Sequence, residues 1–327
     1  MENETFPYRN RMDLSALKTA TGKIRDEIKK VIVGQDTAID LILTAILSDG
    51  HVLIEGVPGV AKTITAKLVA KCISAPFSRI QFTPDLMPSD VIGTYVFNEK
   101  TTDFEFKKGP VFSHIVLIDE INRAPAKTQA ALFEVMAERQ ITVDGKTQVF
   151  SRPFTILATQ NPVEQEGTYR LPEAQLDRFL FKIEVNYPEL QEEIEIIKKH
   201  NGMQAQNEID MVNPVISAEE IVTFQNLIKQ VHVEDSLVGY IAQIVTSTRT
   251  NPNLYLGASP RASIAILNAA KAYAALQGKD FITPDDVKYI APSVLKHRII
   301  LTPEREMEGL TPTMVVKQIM EGIEIPR

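Results

Sequence analysis

Short apolar runs alternate with helical patterns through the first 187 residues, and this alternation constrains the fold more than any other feature of the 327-residue chain. Several runs are apolar throughout, which is typical of strands buried on both faces of a parallel sheet. Strands that alternate with helices indicate a doubly wound α/β sheet, with ligands at the carboxyl ends of the strands. The five predicted strands are His51–Glu55, Ser78–Phe82, Ile115–Asp119, Phe154–Thr159 and Phe179–Val185, and the helices between them are Asp36–Leu47, Lys62–Ile73 and Lys127–Glu138.

Two segments interrupt the alternation, and the pattern changes after them. Residues 90–112 combine β-type patches with a charged stretch, and residues 140–150 are typical of a hairpin that turns at Asp144-Gly145. From about Pro188 onward helical patterns dominate, with a capping box at residues 217–220, Pro284 at a first helical position and a polar loop at 201–213. We therefore predict an α/β core over residues 1–187, followed by a smaller all-helical lid domain over residues 188–327.

Composition excludes several classes of protein. The chain has 35 Lys and Arg against 42 Asp and Glu, a net charge of −7, so it lacks the basic footprint of a protein that binds nucleic acid or an anionic membrane. No apolar run approaches the roughly 18 residues of a membrane helix, so we expect no membrane insertion. The start of the chain lacks the pattern of a signal peptide. The single cysteine, Cys72, excludes an internal disulfide framework and fits a reducing compartment. We expect a cytoplasmic protein.

A glycine-containing loop, GVPGVAKT at residues 56–63, lies directly between a predicted strand and a predicted helix. This is the position of a phosphate-binding loop, whose backbone N–H groups cradle a polyphosphate. Lys62 would reach the β- and γ-phosphates, and the Thr63 hydroxyl would bind Mg²⁺. The strict pattern has glycine where this chain has Ala61, and we expect alanine to be tolerated there with a negative φ. The alternative is a Gly/Pro turn that happens to precede Lys-Thr.

Two acids follow the apolar strand at residues 115–118. Asp119 can hold the hydration shell of Mg²⁺, and Glu120 can orient and deprotonate an attacking water. An acid pair after a strand is usually a solvated strand end, but its position about 55 residues after a phosphate loop favours the catalytic interpretation. The next strand ends in Thr159-Gln160-Asn161, where Asn161 could hydrogen-bond the γ-phosphate or the water. An ordinary Asn-Pro turn is the alternative for Asn161.

These motifs occur in the order of an AAA+ ATPase, and the chain resembles the MoxR branch over roughly residues 14–325. The resemblance is carried by VGQ at 33–35, GVPGVAKT at 56–63, FTPDLMPSD at 82–90, DEINRAP at 119–125, ATQNP at 158–162, LDRF at 176–179 and GASPR at 257–261. The segments at 90–112 and 140–150 match the helix-2 insert and the pre-sensor hairpin of this clade.

The resemblance implies a role for each matching residue. Asp119 and Glu120 match the Mg²⁺-binding and water-activating acids, and Asn161 matches the first sensor. Arg178 matches the arginine finger that reaches a neighbouring subunit's nucleotide. Arg170 is the second candidate for this finger. The alternative for Arg178 is a local ion pair with Asp177. Arg261 matches the second sensor and is expected to contact the nucleotide. The residues expected to contact ATP are Val33, Gly34, Val57, Pro58, Gly59, Val60, Ala61, Lys62, Thr63, Ile64, Asp119 and Arg261. Thr63 and Asp119 are expected to bind Mg²⁺. The residues expected to act in catalysis are Lys62, Glu120, Asn161, Arg178 and Arg261.

The resemblance also implies partners. The family forms rings, usually hexamers, and acts as chaperone-like remodellers in the maturation or metallation of protein complexes, often with a partner that carries a von Willebrand factor A domain. Two alternatives stay open at this point. One is a nucleic-acid motor of the same fold, which the acidic composition disfavours. The other is a nucleotide-dependent binding scaffold, which Glu120 disfavours because a pure switch needs no base. The residues alone do not separate ATP from GTP.

Overall fold

The predicted parallel sheet is present in the computed structural model, which describes residues 12–162, 169, 171–202 and 208–326. Numbered in chain order, its strands are, from one side of the sheet to the other, β2 (Phe77–Gln81), β5 (Ile115–Asp119), β8 (Thr155–Gln160), β1 (Val52–Gly56) and β9 (Phe181–Val185), so β2 and β9 are the edge strands. All four pairings are parallel.

Helices cover both faces of the sheet, as the apolar strands predict. Along β1, Val52 and Ile54 belong to one hydrophobic cluster and Leu53 belongs to another on the opposite face. The helices are α1 (Ser15–Lys29), α2 (Asp36–Leu47), α3 (Lys62–Cys72), α4 (Pro88–Ile92), α5 (Ala126–Glu138), α6 (Glu173–Leu176), α7 (Leu190–Gly202), α8 (Ala218–Ile228), α9 (Asp235–Thr250), α10 (Pro260–Leu276), α11 (Pro284–Leu295), α12 (Pro303–Met307) and α13 (Pro312–Glu321).

The two interruptions predicted in the core are hairpins. The first is β3 (Gly93–Asn98) paired with β4 (Asp103–Lys108), and the second is β6 (Gln140–Val143) paired with β7 (Lys146–Val149). The second turns at Asp144 and Gly145, whose φ values of 49° and 76° fit a two-residue hairpin turn. At the tip of the first, Phe97 and Phe104 form an exposed edge-to-face ring pair.

The second part of the chain is mainly helical, with one addition. A short antiparallel pairing of β10 (Leu254–Leu256) with β11 (Ile300–Leu301) lies among the helices. Strands of two or three residues give no periodic signal, so the sequence did not predict them. The polar stretch at 201–213 is also shorter than predicted, since α7 reaches Gly202 and residues 208–211 form a 3₁₀ turn, while 203–207 lie outside the described residues.

The helical lid packs directly on the core. One hydrophobic cluster includes Ile24 of α1, Ile42 of α2 and Ile266 of α10, so the two parts share a continuous interior. The backbone carbonyl of the buried Cys72 accepts hydrogen bonds from the amides of Val215 and Ile216, at 2.7 and 3.2 Å. The domain boundary at residue 187 stays a prediction. Across the ranges described above, we find no helix with the length and apolarity needed to cross a bilayer.

Candidate active site

The phosphate loop lies between β1 and α3, at the carboxyl edge of the sheet, as predicted. One expectation about it is wrong: Ala61 has a φ of 59° and lies in the left-handed region, where we expected a negative φ. A non-glycine residue in this region costs about 1–2 kcal/mol. The strict pattern has glycine here for this reason, and the small alanine occupies the same backbone conformation under strain.

Lys62 begins α3 and spans two strand ends. Its ammonium donates a hydrogen bond to the carbonyl of Gly56 and another, at 3.4 Å, to the carbonyl of Gln160. These carbonyls close β1 and β8, which are neighbours in the sheet. The charged group is therefore held at the carboxyl ends of β1 and β8, beside the loop at which a polyphosphate would bind.

Asp119 ends β5 and is buried, with 5% of its surface exposed. Its Oδ1 accepts hydrogen bonds from the hydroxyls of Thr63 at 3.2 Å and Thr159 at 3.1 Å. Its Oδ2 is 2.6 Å from Nε of Arg79, which lies on β2. A hydroxyl and a carboxylate within hydrogen-bond distance at the mouth of a phosphate loop are the oxygen donors that Mg²⁺ prefers, so the residues present fit this metal.

Glu120 follows directly, with a φ of 58° that turns the chain away from the strand. Its Oε2 accepts a hydrogen bond of 2.6 Å from the side-chain amide of Gln81 and is 3.1 Å from Nε of Arg123. Its backbone N–H donates to the Thr159 hydroxyl at 3.1 Å. In this arrangement the candidate general base is held toward β2.

Sequence reasoning missed both residues of β2 that contact the acids. Arg79 and Gln81 stand two positions apart in a run recognised only as a strand, and no motif marked them. The signal available was the placement of polar residues at positions 79 and 81 on either side of the buried Ile80. Arg123, inside the DEINRAP motif, pairs with the catalytic candidate Glu120.

Asn161 and the predicted base-binding segment also lie at this edge. Asn161 follows β8 directly and is 7% exposed. The segment at Val33-Gly34 reaches the loop through its neighbour, because the Gln35 amide donates to the Val60 carbonyl at 3.1 Å. Gly34 has a φ of 67°, in the left-handed region that favours glycine.

Arg178 and Arg261 lie together near the amino ends of the strands, whereas the phosphate loop lies at the carboxyl ends. Arg178 precedes β9 and donates to the carbonyl of Phe133 at 2.7 Å, rather than pairing with Asp177. Asp177 instead pairs with Arg298 at 2.7 Å and is 4.0 Å from Nη1 of Arg261. With Arg139, these three arginines line one cleft of about 290 Å³. Arg170, the second candidate for the finger, lies outside the described residues.

The separation of these two ends of the strands follows from the register. Val52 pairs with Phe181 at the amino ends of β1 and β9, and Gly56 pairs with Val185 at the carboxyl ends. At about 3.3 Å per residue, the steps from Val52 to Gly56 place roughly 13 Å between the amino ends of these strands, beside the arginine cleft, and the phosphate loop. Arg261 therefore lies near the amino ends of the strands, away from the phosphate loop of its own chain, and its contact with a nucleotide stays a prediction.

His51 and His297 are buried and bond backbone groups. His51 is buried beside the arginine cleft and bonds the Met136 carbonyl and the Ile156 amide, and burial lowers its pKa to about 3. Burial also holds the pKa of His297 well below its usual value. In the part of the chain that the structure describes, no three His, Cys, Asp or Glu side chains form a group that could hold a metal.

Comparison with known proteins agrees with this geometry. The family model described as "ATPase family associated with various cellular activities (AAA)" matches residues 51–181, and the model of the AAA lid domain matches residues 246–319. The fold and the site thus define an ATPase of the AAA class. A crystal structure of an ATPase candidate from Cytophaga hutchinsonii is 41% identical, with a TM-score of 0.88 over 96% of this chain and 97% of that one.

Curated relatives narrow the class further. The YeaC protein of Bacillus subtilis is 48% identical over 93% of this chain and 94% of its own length. Chaperone MoxR1 of Mycobacterium tuberculosis is 42% identical over 92% of this chain and 81% of its own, and protein MoxR of Methylorubrum extorquens is 30% identical over 96% and 97%. The chain belongs to the MoxR family of AAA+ ATPases.

Proposed function

We propose that this chain is a Mg²⁺-dependent ATPase whose complete catalytic site forms between two copies of the chain. One observation carries the proposal: the phosphate loop with Lys62 and Glu120 lies at the carboxyl edge of the sheet, whereas Arg178 and Arg261 lie at the amino edge. The phosphate loop of one copy and the arginines of the adjacent copy would together complete one site. A closed ring repeats this heterologous contact, and we propose a hexamer.

Within one copy, each residue has a distinct task. The loop amides and Lys62 bind the polyphosphate, and Thr63 with Asp119 would hold Mg²⁺. When bound, the metal neutralises charge on the phosphate oxygens. Glu120 takes a proton from the attacking water, for which it must leave its hydrogen bond with Gln81. Asn161, buried at the end of β8, orients the water or the γ-phosphate.

The neighbouring copy supplies the positive charge. Arg261 is well suited to this task, since 72% of its side chain is exposed and its nearest carboxylate is 4.0 Å away. Arg178 lines the same cleft. An arginine supplied from a second chain is worth about 10³–10⁵ in phosphoryl-transfer rate.

We further propose that ATP turnover remodels a client protein in the cytoplasm, as a chaperone. The name of the M. tuberculosis relative supports the chaperone role. The exposed rings of Phe97 and Phe104 at the tip of the β3–β4 hairpin offer an apolar surface for such a client. Maturation or metallation of a protein complex, with a partner that carries a von Willebrand factor A domain, is the form of this role that the family resemblance favours.

The test is a mixing experiment. Arg178→Ala and Glu120→Gln are each expected to abolish ATP turnover while nucleotide binding and assembly, followed by light scattering, persist. A ring that contains both variants has some interfaces with an intact Glu120 on one side and an intact Arg178 on the other, so mixing should restore part of the activity. Arg305→Ala, an exposed arginine paired with Glu308, is the matched control and should leave turnover unchanged.

Two results would contradict the proposal. Mixed oligomers that form but show no restored turnover would remove Arg178 as a residue that acts on the neighbouring copy. Turnover per chain that is independent of protein concentration in a monomer would remove the shared site altogether.

A further inference from the structure

The edge strand β2 presents two polar side chains to the two acids of the site. Arg79 and Gln81 stand on one face of the strand, because side chains two apart share a face, and Ile80 between them is buried on the other. In the register with β5, Arg79 lies beside Leu117 and Gln81 lies beside Asp119. Each acid therefore has a partner from the same short stretch of β2.

Arg79 supplies a full positive charge to a buried carboxylate. The distance from its Nε to Oδ2 of Asp119 is 2.6 Å, while Thr63 and Thr159 donate to the other oxygen. The Asp119 side chain is 7% exposed, and that of Arg79 is 47% exposed. A carboxylate removed from water is stable as an anion only when charge or hydrogen bonds compensate it, and Arg79 provides both.

We infer that Arg79 is a stand-in cation, which neutralises Asp119 while no nucleotide is bound and gives up this carboxylate when Mg²⁺ arrives with ATP. The inference rests on the proposed function. A guanidinium and a divalent cation at the same carboxylate repel each other strongly where water is largely excluded. Arg79 is half exposed, so its guanidinium can move into solvent, whereas the buried Asp119 stays in place.

The metal dependence of nucleotide binding tests this exchange without using turnover. Binding of a fluorescent, non-hydrolysable ATP analogue to the full chain is titrated with Mg²⁺. Arg79→Ala should lower the half-saturating Mg²⁺ concentration at least threefold, and Arg79→Lys should give a value close to wild type. Arg25→Ala removes another partly exposed arginine from its partner, Asp40, and should leave the midpoint unchanged. Arg79→Gln keeps a donor without the charge and replaces Arg79→Ala if that variant does not fold.

The outcomes separate the explanations. An unchanged or raised midpoint in the folded Arg79 variants would overturn the inference. Weaker binding of the analogue both in Mg²⁺ and in EDTA would make Arg79 a phosphate ligand and would overturn it as well. Wild-type protein that fails to bind the analogue at any Mg²⁺ concentration would contradict the proposed function instead.

Discussion

The side-chain amide of Gln81 holds Oε2 of Glu120 at 2.6 Å, and thereby restrains the residue that must deprotonate water. Gln81→Met removes this bond at nearly constant volume. A partly exposed hydrogen bond to a carboxylate is worth about 1 kcal/mol, so basal ATP turnover should rise about threefold to tenfold. Steady-state hydrolysis without a client measures it. Gln318→Met, an exposed exchange on α13, is the control, and a Gln81 variant with turnover at or below wild type would show that the bond does not restrain the base.

Ala61 carries the backbone strain of the phosphate loop, with a φ of 59°. Ala61→Gly relieves about 1–2 kcal/mol of strain and loses about 0.4–1 kcal/mol through the freer unfolded chain, so the free energy of unfolding should rise slightly, by roughly 0.5 kcal/mol. Chemical denaturation measures the change. Ala75→Gly, at a loop position without a positive φ, should instead lower it by about 0.4–1 kcal/mol. Equal effects of the two variants would contradict a left-handed Ala61.

Arg298 is a buried link between the lid and the segment that carries Arg178. It pairs with Asp177 at 2.7 Å and donates to the carbonyl of Phe179 at 2.6 Å. Arg298→Met leaves Asp177 without this partner, so the free energy of unfolding should fall by about 3 kcal/mol. Arg305→Met, which breaks the exposed pair with Glu308, should cost less than about 1 kcal/mol. Similar losses in both variants would mean that Arg298 is not a structural link.

Buried neutral histidines should make the fold sensitive to acid. The pKa of His51 is lowered to about 3, whereas in the unfolded chain it is about 6.5. The unfolded state therefore binds a proton that the folded state excludes, and stability is full above pH 6.5 and falls as the pH drops toward 3. Between pH 6.5 and 5 the loss from His51 is about 2 kcal/mol.

Denaturant unfolding at several pH values checks this expectation. His51→Gln keeps a donor and an acceptor for the Met136 carbonyl and the Ile156 amide but does not titrate, so its stability should fall less steeply below pH 6.5. His200→Gln, on the exposed face of α7, is the control and should follow wild type. A slope in His51→Gln equal to that of wild type would assign the acid sensitivity to other groups.

The sequence predicts the core of this fold well because its strands are apolar on both faces and its turns use glycine and proline. Ile115–Asp119 and Asp36–Leu47 have the bounds that the pattern indicates. The sequence predicts secondary structure less well where an element depends on partners that are distant along the chain. The β10–β11 pairing is too short to have a period, and α1 was not predicted, although it packs between α3 and the lid helix α10.

The residues of the candidate site likewise fall into those that the sequence predicts and those that it does not. Residues inside motifs, such as Lys62 and Asp119, can be found from spacing alone. Arg79 and Gln81 become visible only when the sheet order brings β2 beside β5. The motif gives Arg261 a role at a nucleotide, but a motif does not give the end of the strands at which the lid places this residue.

Cys72 gives the protein an internal reporter of whether its lid and core separate. Its carbonyl is the anchor for Val215 and Ile216, its side chain is buried, and burial raises the pKa of its thiol to about 12, so it is almost entirely protonated at neutral pH. A thiol reagent that attacks the thiolate will therefore react only when this contact opens. Since Cys72 is also the only cysteine in the chain, the alkylation rate of the unaltered protein reports on this contact alone. The alkylation rate of Cys72 with and without ATP would measure how much ATP reduces the opening of the contact between lid and core.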